Sequence, residues 1–244
     1  MGQDWDLMNK TGNMRITILG TRGEIEQTAP YHSRHSGLLI DGELMVDLGE
    51  REFLDRRPQA VLITHLHPDH AYFVRAGEEP PPAGIPIFAP EGYKDYGLTV
   101  LDEPRTIAGY GVRPVPSHHS LKVRSQAYII SRGPAKILYT GDMVWINREH
   151  HPLFEGLDLV ITEASYLRKG GLVIRDKTTG LIYGHTGVPD LIRLFKDYCR
   201  RIVLVHFGGW FYKDIARART AIRELGRASG VVVEAGRDNQ EIVI

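Results

Sequence analysis

Short apolar runs alternate with turn signals along the chain, and the spacing of the apolar positions names each element. RITILG at 15–20 predicts a strand. The GTRGE that follows at 20–24 lacks the spacing of a phosphate-cradling loop and reads as a structural hairpin. SGLLIDGELMVDLG at 36–49 predicts a β-hairpin about Asp41-Gly42, a dipeptide that accepts the positive φ of a tight turn. AVLITH at 60–65 is a buried strand. A helix is expected to begin at Pro68 and carry AYFVRAG, and IPIFAP at 85–90 is a strand after the stiff surface loop EEPPPAG at 78–84.

The second half repeats the theme. GVRPVPSHH, QAYIIS and KILYTGD read as consecutive strands, and LDLVITEAS at 157–165 as a further buried one. KGGLVIRDKTTG at 169–180 is polar and turn-rich. GVPDLIRLFKDYC at 187–199 has Pro189 near its start and Leu191, Ile192, Leu194, Phe195 and Tyr198 at helical spacing. RIVLVHF at 201–207 is a strand, FYKDIARARTAIRELG at 211–226 an amphipathic helix stopped by glycine, and VVVEA and EIVI close the chain as strands. The pattern therefore predicts an α/β protein of two mixed sheets with helices outside. No linker separates the halves, so residues 14–244 are expected to form one domain behind a loose polar tail at 1–13.

Composition narrows the class. Thirty basic residues balance thirty acidic ones, so no global field draws the protein to nucleic acid or membrane. The single cysteine, Cys199, excludes an internal disulfide framework and fits a reducing compartment. No stretch approaches the roughly 20 apolar residues that span a bilayer, and MGQDWDLMNKTGN lacks the apolar run of a targeting signal. A cytoplasmic protein is expected.

The chemistry concentrates in Thr64-His65-Leu66-His67-Pro68-Asp69-His70. His65 and His67 stand two apart at a strand end, so both side chains face one way. Asp69 and His70 follow where the chain turns, and serve a second, neighbouring position. Imidazole and carboxylate suit a borderline cation such as zinc, with manganese or iron(II) also admitted. The bland alternative is a histidine-rich surface turn, but alternating histidines are odd at the end of a core strand. Four such groups cannot all close one tetrahedral site. Three later strands end in further ligand types: VRPVPSHH in His118 and His119, ILYTGD in Asp142, and IVLVHF in His206.

The T-H-L-H-P-D-H run matches the HxHxDH signature, and on it the chain resembles the metallo-β-lactamase superfamily from about residue 14 to 210. The resemblance implies an αββα sandwich with two metal ions at one edge, between the sheets. It assigns His65, His67 and one of His118 and His119 to the first ion, and Asp69, His70 and His206 to the second. Asp142 would bridge them, and Asp47 in VDLG would orient the motif histidines. The family's His-Ser step fits His119-Ser120, and strand alternation lets only one of the two neighbours serve, so His119 is favoured.

GHTGVPDLIRLFKDYCRRIVLVHFGGW, with ITEASY before it, resembles ribonuclease Z and its phosphodiesterase relatives. That resemblance implies that His185 protonates a leaving group or contacts phosphate, and that Glu163 holds the imidazole. The expected activity is hydrolysis by a hydroxide activated at two divalent metal ions, with Asp69 able to take a proton. The expected substrate is a small phosphodiester or ester, with nucleotide or RNA left open. No insertion matches the Gly-rich RNA-gripping arm of ribonuclease Z, and neutral charge argues against a large RNA footprint. A carbonyl hydrolase (lactonase, thioesterase or β-lactamase-like), an iron oxygenase of the same fold and a non-catalytic binding module are the alternatives. Pairing into a homodimer stays open. Trp210, Phe211 and Tyr212 are placed to wall a pocket, and Lys122, Arg124, Arg168 and Lys169 to meet phosphate, although scattered cations are usually solvated surface. His32, His35, His150 and His151 have no strand-end context that recruits them.

Overall fold

The computed structural model describes residues 13–244, so the expected tail at 1–13 falls, but for Asn13, outside the described residues. Among the described residues, two seven-stranded sheets and one two-stranded sheet make up the β-structure. The first large sheet runs β16-β1-β2-β3-β4-β5-β6. Its strands are β1 (Arg15–Gly20), β2 (Gly37–Ile40), β3 (Leu44–Val46), β4 (Ala60–Leu62), β5 (Ile87–Ala89), β6 (Thr99–Val100) and β16 (Gln240–Val243). The second runs β15-β14-β11-β10-β9-β8-β7. It comprises β7 (Arg105–Ile107), β8 (Tyr110–Ser117), β9 (Ser125–Arg132), β10 (Ala135–Tyr139), β11 (Leu159–Ala164), β14 (Arg201–Phe207) and β15 (Val232–Ala235). Each is mixed in the same way, antiparallel on one side and parallel on the other. The parallel half of the first sheet begins at β3–β4, and that of the second at β10–β11.

The sheets face each other across one core. Ile16, Ile18, Leu38, Ile40, Val46 and Leu62 meet Val112, Tyr128, Ile130, Ile137, Ile161 and Val203, all buried. Alternate residues of the second sheet point the other way. Val160, Ile202 and Leu204 pack under two helices through Leu191, Ile192, Phe195 and Ile222. These are α1 (Val188–Phe195) and α3 (Ile215–Ser229), with the single turn α2 (Gly209–Tyr212) before the latter. The outer face of the first sheet is covered by short 3-10 segments, with Phe53, Tyr72 and Phe73 on Leu39, Met45 and Val61. The architecture is that of the metallo-β-lactamase fold: two mixed sheets with flanking helices.

Three local expectations are corrected. No helix grows from Pro68. The carbonyls of Asp69 and His70 accept from Ser36 N and Leu48 N, which pins the segment to neighbouring strand ends, and only Tyr72–Val74 winds into a 3-10 turn. The helix expected over 211–226 is broken by Asp214, whose carboxylate caps α3 by accepting from Arg217 N at 3.0 Å. That helix runs through Gly226 and stops at Gly230, whose φ of 73° is the left-handed C-cap. Finally, 169–180 is not mere turn. β12 (Leu172–Arg175) pairs with β13 (Ile182–His185) as a hairpin, closed by Asp176, which accepts from Thr178 N and Thr179 N. No helix among the described residues is long and apolar enough to cross a membrane.

Candidate metal centre

Four strand ends converge at one edge of the sandwich. β4 delivers His65 and, past it, a tight turn in which His67 O accepts from His70 N and Ala71 N. That turn places Asp69 and His70 behind His65 and His67. β8 runs into His119, β10 into Asp142, and β14 carries His206. The β11–β14 register slips between Glu163↔Val205 and Ala164↔Phe207, leaving His206 as the extra residue of a bulge with φ 51°. A bulge re-aims a side chain, and this one turns His206 inward.

The potential donor atoms fall into two sets. His65, His67 and His119 form one, and Asp69, His70, Asp142 and His206 the other, each with its donor atoms within 4.8 Å of one another. Asp142 faces both. Its Oδ2 lies 3.8 Å from His65 Nε2 and 3.7 Å from His119 Nε2. Its Oδ1 lies 3.3 Å from His70 Nε2 and 3.3 Å from the His206 ring. Zinc–nitrogen bonds of about 2.0–2.1 Å give tetrahedral donor–donor edges of about 3.3 Å, so these separations suit shared cations. His65 Nε2 and Asp142 Oδ1 are buried without a hydrogen-bond partner. Buried polar atoms are rarely left so, and here both point into the cluster. The donor set fits divalent metal ions.

Neighbouring groups fix which nitrogen is free. His119 Nδ1–H donates to Gly184 O at 2.9 Å, leaving Nε2 to face His67 Nδ1 at 3.1 Å. Asp47 Oδ2 takes His70 Nδ1–H at 2.6 Å, and its Oδ1 accepts from Thr64 N at 2.8 Å. Thr64 Oγ1 lies 3.1 Å from His65 Nδ1, so Asp47 reaches two of the three motif histidines, His70 and His65. His118 points away; its Nε2 is 3.0 Å from Asn147 Oδ1, outside the cleft.

The electrostatics divide along the same line. Burial holds His65 well below its ordinary pKa, lowers His67 to about 4 and lowers His119. These rings are neutral lone-pair donors. For His70 and His206 burial acts in the same direction, but Asp142 and Asp69, joined at His70 by Asp47, outweigh it and raise both. Burial opposes ionisation of Asp69 and Asp142 too, yet His70 and His206 hold both carboxyls below the usual range. Without a cation the carboxylates favour protons on His70 and His206, and cation binding competes with those protons.

Glu163, on β11, lies beside this cluster. Its Oε1 accepts from Met143 N at 2.8 Å, and both its oxygens approach His185 Nδ1, at 3.0 and 2.9 Å. Burial works against an imidazolium, but the Glu163 carboxylate lifts the His185 pKa to about 9. Asp142, Glu163, His185 and His206 would also meet the spacing of a metal set. The mutual engagement of Glu163 and His185 Nδ1 instead makes them a dyad.

A cleft of about 500 Å³ opens over these groups, lined by His67, Asp69, His119, Asp142, His185 and His206, and walled by Ile25, Pro68, Tyr166 and Trp210. Of the expected aromatic wall only Trp210 serves, because Phe211 is buried in the helix-side core and stacks on Phe207 at 3.8 Å. The GTRGE segment is no hairpin: Gly23 and Glu24 form part of the rim. Lys122, Arg124, Arg168 and Lys169 are not among the lining residues, nor are His32, His35, His150 and His151. His32 is buried against Phe207 and Phe211, and His35 pairs with Glu50 at 2.6 Å. Sequence reasoning missed Ser165, whose Oγ lies 3.2 Å from His185 Nδ1 and 3.0 Å from His206 Nδ1. Its place straight after Glu163-Ala164 at a strand end was the available signal.

The fold and the converging donors define a metallo-hydrolase-type scaffold. The chain belongs to the beta-lactamase superfamily: the model of the beta-lactamase superfamily domain matches residues 48–207, a span holding every residue of both donor sets. A search of curated proteins gives no match. Solved structures similar to this one include the metallo-beta-lactamase fold protein YhfI from Bacillus subtilis (18% identity, TM-score 0.70, covering 95% of this chain and 100% of that one). A diphosphatase of the PhnP family is similar at 13% identity and TM-score 0.63, over 95% and 97%. Human tRNase Z, short form, is similar at 18% identity and TM-score 0.61, over 93% and 98%. At such identities the likeness is one of fold.

Proposed function

We propose that the protein is a hydrolase working with two divalent metal ions, zinc by ligand chemistry, and that its substrate is a small phosphodiester. The observation that carries the metal reading is Asp142, with one carboxylate oxygen towards each histidine set and Oδ1 unpartnered in a buried site. His65, His67 and His119 would hold one ion, Asp69, His70 and His206 the other, and Asp142 both. A bound pair of cations supplies charge neutralisation and a water acidified from a pKa of about 15.7 towards about 7.

The chain's own groups do the rest. Asp69, held ionised, accepts a proton as the nucleophile forms. Glu163 fixes the His185 ring by Nδ1, so the remaining nitrogen can give a proton to the leaving oxygen. Tyr166, Trp210 and Pro68 give the cleft an apolar wall beside the reacting centre. The Glu163–His185 dyad favours an ester with an alcohol leaving group over a thioester, because an alkoxide needs that proton and a thiolate does not. Among such esters the phosphodiester is the reading supported by the resemblance of the Glu163 and His185 segments to ribonuclease Z relatives. The reading includes a cytoplasmic location, in keeping with Cys199 as a buried free thiol.

A panel of bis-p-nitrophenyl phosphate, a lactone and a thioester tests it, run on protein whose metals are counted by elemental analysis. Diester turnover that chelation abolishes and zinc restores is expected. Turnover confined to the lactone or thioester would reassign the substrate, and oxygen consumption by an iron-loaded form would replace hydrolysis altogether.

A further inference from the structure

The β12–β13 hairpin carries a concentration of bare apolar side chains. Leu172 is 40% exposed, Val173 43%, Ile174 38% and Leu181 51%, and Leu121, which shares a groove with Leu181, is 44%. These five are most of the large exposed hydrophobics among the described residues. Isolated apolar residues on a surface mean little, but a contiguous group marks a binding surface.

Its position says what it binds. The ladder pairs Leu172 with His185 and Ile174 with Tyr183. By strand alternation Leu172, Ile174 and Tyr183 share one face and Val173 lies on the other, and the first face starts at the rung of the cleft histidine. The hairpin is also anchored to the metal centre. Gly184 N donates to His119 O at 2.8 Å, and His119 Nδ1 donates back to Gly184 O at 2.9 Å. The cleft is itself walled by Ile25, Pro68, Tyr166 and Trp210, and no described residue lining it is a lysine or arginine. The cleft wall itself offers a polyanion no lysine or arginine, whereas an apolar group leaving past His185 meets Leu172 on the same rung and Ile174 two residues beyond it.

We infer that the β12–β13 face is the leaving-group subsite, and that the substrate is an ester whose leaving alcohol or phenol carries an extended apolar body. This rests on the proposed role of His185 at the leaving oxygen.

Binding of 4-alkylphenols, from methyl to hexyl, to the metal-loaded protein tests it by isothermal titration calorimetry. Their acidities are nearly constant, so only apolar length varies. Affinity should rise about two- to fourfold per added methylene, the range for partial to full burial. The gradient should vanish in the Leu172→Thr, Ile174→Thr double variant, which puts a β-branched strand former at both positions. It should persist in Val232→Thr, at an exposed apolar position on β15. A flat series in the parent protein, or a gradient surviving the double variant, overturns the inference. So does a concentration-dependent dimer in sedimentation that only the double variant abolishes, which would give the face to a second copy of the chain. Because phenol binding needs no turnover, these outcomes are independent of the bis-p-nitrophenyl phosphate assay, whose failure alone would count against the phosphodiester reading.

Discussion

Asp47 Oδ2 lies 2.6 Å from His70 Nδ1, and neither side chain is exposed to solvent. The same carboxylate takes Thr64 N and Thr64 Oγ1, so one buried group sets the orientation of His70 directly and of His65 through Thr64. Asp47→Ala should weaken metal binding about 10- to 100-fold, the usual cost of losing a ligand's support. Competition with a chromophoric chelator would show it. Asp47→Asn should lose less stability than the alanine variant, because asparagine tolerates the φ of 60° at this position.

His119 and His185 neighbour each other, with ring centroids 4.8 Å apart, yet they should fail differently. His119→Ala should lower metal content and turnover together. His185→Ala should keep both metals and lose about 10²- to 10⁴-fold in kcat, the range for general acid catalysis. Elemental analysis beside steady-state kinetics separates the two, and metal loss in the His185 variant would make that residue a ligand.

Gly184→Ala tests the hairpin's mechanical link to the site. Gly184 has φ 110°, and a Cβ there would stand 2.1 Å from Leu172 O, so the strand pair must shift. The shift moves the acceptor of His119 Nδ1 and the residue beside His185. At least a tenfold fall in kcat/KM is expected, with a thermal midpoint much closer to the parent's than that of Asp47→Ala.

His32 supplies a pH dependence away from the metal centre. Burial, with Arg219 alongside, lowers its pKa from 6.5 to about 4 in the folded chain. The unfolded chain then binds more protons between those values, so this contribution to stability is complete above pH 6.5 and is lost as pH falls towards 4. Urea midpoints of metal-free protein should show a slope in that window that His32→Asn reduces, and equal slopes would remove His32 as its source.

Metal removal should also destabilise the fold, since ligand binding to the native state alone adds about 2.7 kcal/mol at a hundredfold excess over Kd. A thermal midpoint that chelation leaves unmoved would mean that the donors hold no cation in solution.

Much of this molecule was legible in the chain. Strand alternation and the Asp41-Gly42 turn placed the hairpin of β2 and β3, and the strand-end histidines marked the edge where donors gather, because such signals depend on a few adjacent residues. What the sequence could not decide is where distant segments compete. His119 rather than His118 faces the cleft because Gly184, 65 positions along the chain, accepts its Nδ1–H. The helix expected from Pro68 fails because Ser36 and Leu48 take the carbonyls of Asp69 and His70. Ser165 joins the site only because a bulge turns His206 towards it. Each of these outcomes is a hydrogen bond between chain segments that only the packed sheets bring within reach, so no local pattern could encode it.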